Sequence, residues 1–172
     1  ACLEELKAHD IEVEPKMIMP GTFTDVAGRE AVRYLVDKQY AFDCLICLND
    51  WMAQGALEEL SALGIRVPDD VSVIGFDGLD PSRYTLPPLT TVVQPLYEMG
   101  VLAIDVLDRI MAGGEEEHIT LACEAVIRES CGCNPHVSYT PGLHELPSYA
   151  TVSERLAVQD LLRLTRLGDY HQ

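Results

Sequence analysis

Residues 67–95, VPDDVSVIGFDGLDPSRYTLPPLTTVVQP, constrain the fold of this chain more than any other stretch. An apolar strand runs from Val71 to Phe76, an acidic turn closes it at Asp77-Gly78, Pro87-Pro88 break the chain, and a polar crossover leads to Gln94. That order suits the presentation of side chains at the carboxyl edge of a parallel sheet, beside a hinge.

Segments on both sides alternate between helix and strand periods. Residues 1–9 read as the end of a helix, with Leu3 and Leu6 on one side, and Lys16 to Met19 as a short strand ahead of Pro20-Gly21. Asp25 is placed to cap a helix over 26–39 that turns Val26, Ala27, Ala31, Tyr34 and Leu35 inward. Residues 43–48 form an apolar strand, as expected where both faces of a sheet are covered. A helix follows over 51–63, with Asp50 as its cap, Ala53, Ala56, Leu57 and Leu60 as its stripe, and Gly64 as its stop. Residues 94–112 make a long helix burying Leu96, Met99, Leu102, Ala103, Val106 and Ile110, ended by Gly113-Gly114, and residues 119–127 alternate as a last strand. The expected fold is α/β, a doubly wound parallel sheet with helices on both faces.

The net charge of −16, with 12 Lys and Arg spread along the chain, argues against a nucleic-acid surface in this piece. No run approaches the roughly 20 apolar residues of a membrane span, so no membrane partner is expected. The charged opening ACLEELKAHD reads as part of an amphipathic helix and not as a signal peptide, which suggests a chain cut from a longer protein. Cys44, Cys47 and Cys123 fall in apolar runs, and buried reduced thiols fit a cytoplasmic protein. Cys131-Gly-Cys133 with His136 nearby could hold a metal, could form a redox pair, or could be two thiols without a function. From Pro135 the character changes: a proline-rich linker leads to an amphipathic helix over 151–167, giving a division into 1–134 and a 135–172 tail.

The candidate ligand site gathers residues that come directly after the strands. Asn49 and Asp77 each end a buried strand, and together they can donate to and accept from a hydroxyl-rich ligand. Phe23 or Trp51 can cover the apolar face of a sugar ring or stack on a base, and Gln94 can reach the cleft from the hinge side. Each has a plainer explanation: Asn-Asp is a helix-cap signature, Asp-Gly a turn signature, and single aromatics usually belong to the core or surface. No cofactor is indicated, and the chain lacks a phosphate loop, a nucleophile elbow and a His-x-x-x-His pair, so an enzyme is not expected.

CLICLNDWMAQGALEEL, Gly-x-x-Val-Pro-x-Asp-Val-Ser-Val-Ile-Gly-Phe-Asp, Pro88-Leu-Thr-Thr-Val92 with Gln94, and Val126-Ile-Arg-Glu-Ser130 resemble the effector-binding domain of the lactose-repressor/galactose-repressor (LacI/GalR) family over about residues 1–130. The resemblance implies the periplasmic-binding-protein-like type I fold, here its C-terminal lobe, incomplete, with the 94–112 helix belonging to the other lobe. It implies that Phe23, Asn49 and Asp77 meet the effector, and that Gln94 and Leu96 lie near the hinge. It also implies a sugar or nucleobase-like effector, a homodimer, and contact with DNA only through a domain absent from this chain. The strand that usually opens this lobe is missing, so the piece is expected to be cut from a larger folded protein or completed by another chain. The tail admits a second reading, a cytoplasmic sensor domain of a signal-transduction protein with a C-terminal output module; a secreted solute-binding protein is a third.

Overall fold

The structure, a computed structural model, describes residues 2–115 and 118–133. The tail helix over 151–167 and His136 lie outside the described residues. The chain runs α1 (Cys2–Ala8), a 3-10 turn (Pro15–Met17), α2 (Asp25–Asp37), β1 (Cys44–Ile46), α3 (Asp50–Ala62), β2 (Ser72–Asp77), a second 3-10 turn (Asp80–Arg83), β3 (Thr90–Val93), α4 (Leu96–Met111), β4 (Glu124–Val126) and a third 3-10 turn (Glu129–Cys131).

The strands form one sheet in the order β1-β2-β3-β4. β1 pairs parallel with β2, placing Leu45 beside Val73, and β2 pairs parallel with β3, placing Ile74 beside Thr90 and Asp77 beside Val93. β4 returns antiparallel to β3, with Ala125 beside Val92. The sheet is therefore mixed at one edge, where an entirely parallel sheet was expected.

The core lies between β2 and the α2–α3 pair. Val32 of α2 packs with Ala53, Ala56, Leu57 and Leu60 of α3, and with Val71, Val73 and Leu89. The α3 stripe read from the sequence is thus the buried one. Gly28 and Gly55 let the two helices approach backbone to backbone: a Cβ on Gly28 would fall 1.9 Å from the Met52 carbonyl oxygen, and one on Gly55 1.8 Å from that of Asp25. Arg33 straps the same pair, donating from Nε and Nη2 to both oxygens of Glu59 at 2.7 and 2.8 Å.

Several expectations change. Residues 16–19 make no strand; the chain turns in a 3-10 bend that starts at Pro15, a residue with no N–H to give a ladder. The cap of α2 is Thr24, whose hydroxyl accepts from the Ala27 N–H at 3.4 Å, and not Asp25. The buried side of that helix is Gly28, Val32 and Leu35, while Val26 and Tyr34 are exposed. β1 sits at the sheet edge and has Cys44 and Ile46 exposed, so its apolar run is not covered on both faces. Cys123 is exposed too, and Cys47, half-buried beyond the end of β1, has its thiol pushed up to about 12 by burial. No residue of α4 is buried; Leu96, Met99 and Ile110 face solvent, or a groove of about 590 Å³ running from Gln94 to Cys123. Periodicity reported an apolar face on that helix, but it could not report whether anything packs on it.

Candidate functional site

Parallel strands β1, β2 and β3 all finish at the same edge of the sheet, and the candidate residues stand there. Asn49 follows β1 with extended backbone (φ −157°, ψ 165°) and caps α3: its Oδ1 accepts from the Met52 N–H at 2.8 Å. Its Nδ2 donates to the Phe23 carbonyl oxygen at 3.0 Å. The cap expected of Asp50 therefore belongs to Asn49, and the amide uses both ends to hold the protein's own backbone.

Phe23 is 65% exposed and has φ +60°, a region where a bulky side chain is rare. Asp77 ends β2 with φ +113°, a second strained position on the same rim. Strain of this sort costs on the order of 1–3 kcal/mol and persists only where surroundings impose it. For Phe23 the constraint is the Asn49 amide. For Asp77 it is Gln94, whose Nε2 donates to Asp77 Oδ1 at 2.7 Å while its N–H points to the Asp77 carbonyl oxygen at 3.5 Å. Trp51, in the first turn of α3, is 46% exposed.

Asp50 binds these pieces together. It is 3% exposed; Oδ1 accepts the Thr91 hydroxyl at 2.6 Å and Oδ2 the Leu79 N–H at 2.7 Å. Thr91 also accepts the Gly78 N–H at 3.3 Å. A Cβ on Gly75 would fall 2.3 Å from Asp50 Oδ1, so the glycine of the Gly-Phe-Asp run is what lets this carboxylate lie across β2. Burial pushes the Asp50 carboxyl up from its ordinary value, and the charge of Asp77 adds to this, against the hydrogen bonds from Thr91 and Leu79.

Behind the rim, the Ser130 hydroxyl donates to the Val73 carbonyl oxygen at 2.6 Å and accepts the Thr90 N–H at 2.8 Å. Arg128 donates from Nη1 to Ser82 Oγ at 3.0 Å and to the Leu89 carbonyl oxygen. Burial lowers the Arg128 pKa from its ordinary value, as does the charge of Arg83, while that of Asp50 opposes them. The sequence alone did not reveal β3, Thr91 or the structural use of Arg128 and Ser130. The available signal was the polar Thr-Thr pair and the Arg-x-Ser ending, both recognisable as patterns without a visible role.

The rim offers carbonyl, carboxylate and amide groups beside two exposed aromatic rings. That set can meet a polar ring compound by hydrogen bonds along its edge and by stacking on its face. Among the described residues no cluster of three His, Cys, Asp or Glu is arranged to hold a metal ion.

Residues 1–131 match the model of the periplasmic binding protein-like domain. The chain is 37% identical over 138 residues to the HTH-type transcriptional repressor CytR of Escherichia coli (strain K12), a match that covers 77% of this chain and 40% of that protein. Among solved structures it is similar to a sugar-binding transcriptional regulator of the LacI family from Escherichia coli complexed with phosphate (TM-score 0.67, 35% identity, 74% of this chain and 46% of that one). It is also similar to the transcriptional regulator CelR in complex with cellobiose (TM-score 0.68, 35% identity, 74% of this chain and 39% of that one). The chain thus spans less than half the length of these relatives.

Proposed function

This chain belongs to the LacI/GalR family of periplasmic-binding-protein-like domains, and on that premise we propose that it is the effector-sensing part of a transcriptional regulator. Its ligand is a sugar or another small polar metabolite, met by Asp77, Gln94 and Asn49 along one edge and by Phe23 and Trp51 on its faces. Binding there shifts the balance between two arrangements of the whole protein, and so its grip on DNA through a domain elsewhere. The protein works as a cytoplasmic homodimer and has no catalytic role. Residues 1–134 belong to the sensing domain and residues 135–172 form a linker and helix beyond it.

The observation that carries this reading is the Gln94–Asp77 hydrogen bond of 2.7 Å. It joins the end of β2 to the entry of α4, so a ligand competing for the Asp77 carboxylate acts directly on the link between sheet and crossover helix. The relatives are transcriptional regulators, which favours this reading over a sensor with a signalling output. No described helix is long and apolar enough to cross a membrane.

The test is calorimetry on the full-length protein with a panel of sugars and nucleosides. A ligand found this way should bind Asp77→Ala more weakly by about 1–3 kcal/mol, the cost of leaving its polar groups unpaired. Wild-type affinity in that variant would remove Asp77 from the site.

A further inference from the structure

Two thiols outside the rim meet in one tight turn. Cys131 closes the last 3-10 turn, Gly132 follows in the left-handed region at φ +71°, and the Cys133 N–H comes to 3.3 Å from Cys131 Sγ. The Cys133 thiol donates back to the Cys131 carbonyl oxygen at 3.9 Å and the Cys131 thiol to the Arg128 carbonyl oxygen at 3.6 Å, with Cys133 exposed and Cys131 half-buried. The turn is anchored: the Ser72 hydroxyl donates to the Cys131 carbonyl oxygen at 3.2 Å, and the neighbouring Ser130 is fully buried in bonds to β2 and β3. Closing a disulfide between residues two apart requires a left-handed or similarly tight link, and Gly132 supplies it at little cost.

We propose that Cys131 and Cys133 form a redox-active dithiol that exchanges two electrons with low-molecular-weight disulfides. Nothing in the effector reading is needed for it. Cys131 is the attacking thiol. Burial raises its pKa, but hydrogen bonding to the sulfur, which includes the Cys133 N–H at 3.3 Å, outweighs this, and the net displacement is downward. The Cys133 thiol is moved up, first by its hydrogen bond to Cys131.

The exchange balances in two steps. The Cys131 thiolate attacks one sulfur of a disulfide RS–SR, forming a mixed disulfide and expelling RS⁻, which takes up the proton Cys131 gave up. Cys133 then loses its proton and attacks Cys131 Sγ, forming the Cys131–Cys133 bond and expelling the second RS⁻, which is protonated in turn. The protein dithiol loses two electrons and two protons, and RS–SR becomes two RSH.

The experiment equilibrates the whole chain with mixtures of glutathione and glutathione disulfide, blocks free thiols, and digests with trypsin. Cleavage after Arg128 and Arg155 isolates Cys131 and Cys133 in one peptide, apart from the other four cysteines. As the disulfide fraction rises, that peptide should lose two hydrogens without gaining an adduct. Cys133→Ser should stop at one glutathione on Cys131, and Cys131→Ser should be modified at Cys133 on the order of tenfold more slowly, because the activated thiolate is gone. Two free thiols persisting across the series would overturn the proposal. So would linkage of Cys131 to Cys44, the thiol that feels its charge, or equal modification rates in the two variants.

Discussion

The Thr91 hydroxyl donates to Asp50 Oδ1 at 2.6 Å across 41 positions of the chain, and joins the start of α3 to the strand that leads into the crossover helix. With the second carboxylate oxygen on the Leu79 N–H, one buried side chain ties together the segment after β1, the loop after β2 and β3 itself.

Removing that carboxylate leaves a buried hydroxyl and an N–H without their partner. Asp50→Ala should therefore cost about 3 kcal/mol, the range for losing hydrogen bonds to a charged group in a buried setting. Urea denaturation measures it directly, and a loss below about 1 kcal/mol would show that water replaces the carboxylate without penalty.

Asn49→Asp separates capping from positioning. Aspartate caps a helix about as well as asparagine, so the α3 cap is kept. The new carboxylate cannot donate to the Phe23 carbonyl oxygen and sets acceptor against acceptor there. Because Asn49 is buried, the melting temperature should fall, but by less than in Asn49→Ala, which loses the cap as well, and effector affinity should fall by roughly tenfold. A melting temperature that drops as far as in Asn49→Ala would contradict this.

Gly55→Ala tests the contact between α2 and α3. The added methyl group meets the Asp25 backbone, which cannot swing aside as a side chain can. A loss of about 3 kcal/mol is expected, at the upper end for overpacking. Gly100→Ala, where a Cβ meets nothing within 4 Å, should be neutral or stabilising by a few tenths of a kcal/mol, since alanine favours helix.

The turn before β2 carries a pH signature. The Arg66 guanidinium, with help from its N–H, holds the Asp70 carboxyl down at about 2 from 3.8. The folded state binds that proton less tightly than the unfolded chain does. The pair therefore adds stability above pH 3.8 and loses it as pH falls through about 2. Solvent screens this exposed pair, so the effect is small. The stability difference between wild type and Asp70→Asn should shrink over that window, and a constant difference would count against the pairing. Asp50 works in the opposite sense: its raised pKa favours the fold at low pH, and that contribution fades as pH rises through the folded-state value.

Much of the fold was legible in the sequence, for identifiable reasons. The α3 stripe and its Gly64 stop could be read because a helix against a sheet needs an apolar stripe and a left-handed exit, here φ +73°. β3 could not, because Thr90-Thr91 looks polar; Thr91 is fully buried only because a carboxylate 41 positions away receives its hydroxyl. Asn49 and Asp50 exchanged roles because both can cap, and backbone angles decide between them. The apolar side of α4 was visible, but exposure depends on neighbours that a periodicity does not contain.

The glycine contact between α2 and α3 has a mechanical corollary. Because the backbones touch with no side chain between them, neither helix can slide or rotate without collision, and the pair moves as one block. Phe23 lies just ahead of one helix and Trp51 in the first turn of the other, so the backbone positions of the two are held by the block itself. A change in the shape of the rim is then expected on its far side, at the Asp77–Gln94 hydrogen bond.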